Sequence, residues 1–127
     1  MLPALPARKD WIFALAYGLA FTWAIFWLWF GIASGISEGE SPLGVFLHAV
    51  APGAACLALA LSAIYSEWVG GVLLVTAGLL FGVMYPLIFP HALPSVKVFC
   101  ELTLSAPPLI AGLLFLKHNR IARTITR

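Results

Sequence analysis

The sequence predicts an all-α membrane protein: a four-transmembrane-helix antiparallel bundle, both termini cytoplasmic, in a single integral domain over residues 1–127. Three observations predict it. Uncharged runs of 27, 26 and 29 residues separate Asp10 from Glu38, Glu40 from Glu67 and Glu67 from Lys97, and a fourth run of 15 follows Glu101. About 20 apolar residues cross the roughly 30 Å of hydrocarbon in a bilayer. The chain is 62% hydrophobic and 9% charged, far from the roughly 25% charged residues of a soluble domain. Six of its seven Lys and Arg are terminal, namely Arg8, Lys9, Lys117, Arg120, Arg123 and Arg127, with Lys97 the exception. Basic residues stay on the cytoplasmic side, so an even number of spans puts both ends there.

The first span reads as Trp11–Ala33. Arg8 and Lys9 before it and small residues near Gly35 imitate a signal peptide, but 23 residues exceed the roughly 7–15 of such an apolar region. Retention as a permanent helix is therefore expected. The second and third spans read as Leu43–Tyr65 and Trp68–Phe89. Only Ser66 and Glu67 lie between them, which demands a tight antiparallel hairpin. From Pro86 to Pro94 three prolines predict an irregular connection. The fourth span, Val96–Leu116, contains Pro107 and Pro108. A proline cannot donate to the carbonyl four residues back, so this span is expected to kink, with neighbours satisfying the carbonyls of Thr103 and Leu104. The basic tail, 117–127, is read either as a short surface helix on anionic lipid or as a solvated end.

Small and polar residues recur at helical spacing. Gly71, Gly78 and Gly82 form a groove on the third span, read as a helix-packing seam of the chain's own bundle or as a contact with another subunit. Trp23, Trp27 and Phe30 share a face of the first span at i, i+4 and i+7. That face is expected to meet a partner; lipid, or stacking on a quinone, carotenoid or chlorin, is the competing reading. His48 and Glu101 fall at similar depth near the outer ends of the second and fourth spans, with His91 and Lys97 close by in the chain. Ionisable groups in a membrane are functional suspects by default. The readings open for this polar cluster are a structural pair, proton or ligand handling, and metal or pigment ligation. One His and one carboxylate fall short of a usual metal ligand set. Cys56 and Cys100 differ in depth by roughly 14 Å at 1.5 Å per residue, too far for a disulfide.

No phosphate-binding loop, His-Glu-x-x-His or nucleophile elbow is present, so no catalytic residue, cofactor or metal is expected and the chain is not read as an enzyme. A net charge of +2 gives no reason to expect nucleic acid. His48-x-x-x-Pro52, the Trp68-Val69-Gly70-Gly71 start of the third span and Gly112-Leu113-Leu114-Phe115 resemble a family of short four-span prokaryotic integral membrane proteins of uncharacterised activity. The resemblance covers about residues 43–116 and departs at Ile64-Tyr65-Ser66-Glu67, where the family has an Ala-Trp-Arg-like segment. It implies architecture only. The expected location is a prokaryotic cytoplasmic (inner) membrane. The expected role is an accessory or interaction subunit of a membrane complex, with other subunits or a second copy as partners and anionic lipid near Lys117, Arg120, Arg123 and Arg127. The alternative is a small homo-oligomeric transporter or channel.

Overall fold

The computed structural model describes residues 10–49 and 53–125, without the side chains of residues 10, 48, 49 and 125. The described residues fold as helices and short connections, with no strand. The helices are α1 (Asp10–Ser37), α2 (Pro42–Ala49), α3 (Ala55–Tyr65), α4 (Glu67–Ile88), α5 (Pro94–Leu104) and α6 (Ala106–Ile125). Three stretches are long and apolar enough to cross a membrane: Trp11–Ser37, Glu67–Ile88 and Pro94–Thr124, the last being α5 and α6 together. The expected second span is described as α2 and α3, on either side of residues 50–52, which lie outside the described residues.

The helix ends follow from short polar signals. Gly39 takes a left-handed φ of 72°. Glu40 N–H donates to Gly35 O at 3.1 Å and Gly39 N–H to Ile36 O at 3.1 Å. This is a glycine C-cap that satisfies the last carbonyls of α1. Ser41 then caps α2, its Oγ accepting from Gly44 N–H at 3.1 Å, and Pro42 occupies the first helical position, where its missing donor costs nothing. Ser66 alone separates α3 from α4 and caps α4 by accepting from Val69 N–H. The hairpin is as tight as expected because Gly70 lies directly on the Ala63 backbone. Two boundaries differ from the sequence reading. Pro86 sits inside the last turn of α4, which runs on to Ile88, so the irregular segment is only Phe89–Leu93. The basic tail continues α6 as helix to Ile125.

Neighbouring passes run antiparallel. At one end the start of α1 meets α6, with Phe13 and Phe115 centroids 6.3 Å apart, and Glu67 at the start of α4 reaches His118. At the other end Trp27 reaches Thr103 and Gly82 faces Ser105. α2 packs on α1, while α3 packs on both α1 and α4. The core forms where α1 presents Ala16, Ala20, Trp23, Ala24 and Trp27 to Cys56 and Ala60 of α3, Leu74 of α4 and Ala111 and Phe115 of α6.

The most extensive packing is between α4 and α6, and glycine makes it. A Cβ on Gly71 would lie 3.0 Å from Gly112 O, and one on Gly112 2.7 Å from Gly71 O. A Cβ on Gly78 would lie 2.8 Å from Ser105 O and 2.6 Å from Leu109 Cγ. Lipid tails are as apolar as the side chains they meet, so association rests on this close packing rather than on water exclusion. Gly71, Gly78 and Gly82 therefore belong to the chain's own seam with α5 and α6. Gly78→Leu should lower the unfolding free energy of the isolated protein in detergent by about 1–3 kcal/mol, the usual cost of overpacking. Unchanged stability would move the groove to a subunit contact.

Candidate functional site

Three groups of polar or aromatic side chains stand out among the described residues. The best defined is at the Glu67 end. Glu67 is the first residue of α4, where a carboxylate complements the positive end of the helix dipole. His118 continues the buried face of α6 one turn beyond Phe115, at the i, i+4, i+7 spacing from Ala111. Their side chains meet at 2.6 Å, His118 Nδ1 to Glu67 Oε2. His118 is 8% exposed and its ring stands 5.2 Å from Phe13. Its Nε2 has no hydrogen-bond partner among the described residues. A carboxylate on Nδ1 favours the tautomer with the proton there, which leaves Nε2 to accept in the neutral ring and donate in the charged one. The pair can lock α4 to α6, and it can hold a proton between two helices.

The polar cluster expected from sequence at the opposite end is arranged differently. Glu101 is half-buried against α4, beside Gly82 and Ser105 and near Tyr85 and Cys100. Lys97 Nζ donates to Pro90 O at 2.5 Å, so this cation braces the Phe89–Leu93 connection rather than pairing with Glu101. His91 is exposed in that connection. The His48 side chain lies outside the described residues, and its pairing with Glu101 with it; α2 packs on α1, whereas α5 packs on α4 and α6. Among the described residues no three His, Cys, Asp or Glu come together as a metal set would. Cys56 and Cys100 are free thiols.

The aromatic face of α1 turns inward. Trp23 is 3% and Trp27 8% exposed, while Phe30 is 39% exposed. Trp27 Nε1 donates to Thr103 O at 3.2 Å, the carbonyl that Pro107 leaves without its helical donor. Trp23 packs against Phe81 at 6.4 Å, and its Nε1 has no partner among the described residues. Of the three residues expected to meet a partner, Trp23 and Trp27 are thus interior, because the kink needs a donor and the core needs bulk. Phe30 alone keeps an outward surface, beside a recess of about 440 Å³ that it lines with Phe26, Trp29 and Phe99. A smaller cleft of about 220 Å³ lies between Thr22 and Trp23 of α1 and Thr103 and Pro107 at the kink.

No protein-family model, curated protein or solved structure matches this chain. The resemblance over residues 43–116 rests on its sequence patterns alone.

Sequence reasoning passed over His118 because it stands in a basic tail, between Lys117 and Arg120. The signal was the spacing from Ala111 and Phe115, which carries the buried stripe onto His118, opposite the Glu67 turn of the antiparallel neighbour. A double-mutant cycle with Glu67→Ala and His118→Ala, read by unfolding in detergent, should give a coupling of about 1–2 kcal/mol. That is below the roughly 3–5 kcal/mol of breaking a dry pair, since the Glu67 side chain remains 25% exposed. Additive losses would mean that the two groups pack without interacting.

Proposed function

We propose that this chain is a four-span protein of a prokaryotic inner membrane, with both termini cytoplasmic, acting as an accessory or interaction subunit of a membrane complex. α2 and α3 together supply the fourth pass, and the basic residues Lys117, Arg120 and Arg123 share an end with the α3–α4 turn.

One observation carries the interaction role. Among the helical glycines with described surroundings, a Cβ added to Gly18 would meet nothing within 4 Å. In contrast, Gly53, Gly70, Gly71, Gly78, Gly82 and Gly112 each lie against another helix of the same chain. Ala14 and Thr22, one turn to either side of Gly18, are also exposed. A glycine offers a lipid tail no side chain to pack on, whereas a second helix gains close backbone approach from such a notch. The interaction surface is therefore assigned to Ala14, Gly18 and Thr22 of α1.

The alternative is a small homo-oligomeric transporter or channel, in which a second copy fills the notch. The part-buried Glu67–His118 pair favours that reading, since ionisable groups set within membrane proteins mark proton and ion paths. Purification in mild detergent separates the two. Stoichiometric foreign subunits support the accessory role, and a pure oligomer of this chain supports the alternative. In either case Gly18→Leu should dissociate the assembly and leave the melting temperature of the isolated chain unchanged. An assembly indifferent to Gly18→Leu would remove the notch from the interface. Reporter fusions after Arg127 and between Glu38 and Glu40 should report opposite sides of the membrane, and a periplasmic Arg127 would overturn the topology.

A further inference from the structure

We propose that α4 and α6 form a binding site for the phosphodiester headgroup of one anionic phospholipid, held by Arg120 and Arg123. The site is a cavity of about 270 Å³ between the start of α4 and the second half of α6. It is lined by Trp68 and Val72 from α4 and by Leu116, Asn119, Arg120 and Arg123 from α6.

The lining is ordered along the helix axis in the way that a lipid is. On α6 the four positions fall at i, i+3, i+4 and i+7, a single helical face. They span about 10 Å at 1.5 Å per residue. The face begins with aliphatic Leu116, passes the amide of Asn119 and ends with two guanidinium groups. On the antiparallel α4, Val72 lies at the apolar end and Trp68 one turn nearer the charged end. Guanidinium groups recognise phosphate through paired N–H donors. Indole rings favour the boundary between headgroup and hydrocarbon. Val72 and Leu116 continue the cavity toward the lipid-facing surface, where the acyl chains stay in the bilayer.

A lone basic tail would attract any anionic surface diffusely. Here the charges have a fixed neighbour instead, because the glycine seam and the Glu67–His118 contact hold the two helices together directly beside the cavity. A walled recess with donors at one end and aliphatic side chains at the other selects a molecule with both parts. Free phosphate lacks the second part and zwitterionic lipid lacks the net charge. The proposal is independent of which protein, if any, fills the α1 notch.

The test uses the detergent-purified full chain and native mass spectrometry, with dioleoyl phosphatidylglycerol, dioleoyl phosphatidylcholine and inorganic phosphate as separate probes. One phosphatidylglycerol should be retained at least about tenfold more tightly than phosphatidylcholine, and inorganic phosphate should neither bind nor compete. The Arg120→Gln, Arg123→Gln double variant should lose that preference, while Lys117→Gln, at an exposed position outside the cavity, should keep it. Circular dichroism melting without added lipid should show the double variant folded as the parent is. Should it unfold, Val72→Phe, which fills the apolar end and leaves both charges, gives the same reading through weakened retention. Equal retention of the two lipids, an unchanged preference in the double variant, or loss of the preference in Lys117→Gln would overturn the site. Competition by phosphate alone would replace it with a plain anion site.

Discussion

A backbone carbonyl set free in hydrocarbon has no water to turn to, and Pro107 frees one in the middle of the α5–α6 pass. The indole of Trp27 supplies the missing donor, at 3.2 Å from Thr103 O. Much of the bundle follows from that requirement. α1 must lie against the kink, so its tryptophans face inward. The helix break at Ser105 turns a hydroxyl toward α4, where it donates to Gly78 O at 2.7 Å. That bond is possible only because Gly78 and Gly82 carry no side chain at this point. The prolines thus bring three helices into register, and α6 leaves the kink on a line that sets His118 against Glu67.

The same constraint explains which parts of the fold were legible in the sequence. Uncharged length, the Ser66 turn and the glycine spacing are local or periodic signals, and helices, hairpin and seam followed from them. The need for a donor at Thr103 was also readable, because proline's missing N–H is a property of the residue. The identity of the donor was not. Trp23 and Trp27 at i and i+4 look alike whether they face lipid, a partner or a kinked neighbour. Only the approach of α1 to the kink decides between these.

For the polar groups, sequence reasoning looked at the uncharged spans and weighed His48 and Glu101 by depth. A histidine within the basic tail carries no such depth signal. Yet α6 continues as helix to Ile125, and this turns an apparent tail into a buried face that ends at His118. The far side of the same helix carries Arg120 and Arg123 beside Trp68. One element therefore serves two purposes, a part-buried histidine–carboxylate contact on one side and a cationic recess on the other. Whether it does so depends on how firmly α6 is held to α4, and so again on the seam and the kink.

The most direct measurement is isotope-edited infrared spectroscopy of the intact protein in bilayers, with the label confined to the carbonyl of Thr103. A hydrogen bond from Trp27 lowers the frequency of that carbonyl, and Trp27→Phe removes the donor while leaving most of the ring. The labelled band should therefore move to higher frequency in Trp27→Phe, with the helical content unchanged. An identical band in parent and variant would show that Trp27 does not satisfy the carbonyl freed by Pro107, and the account of why the aromatic face turns inward would fail.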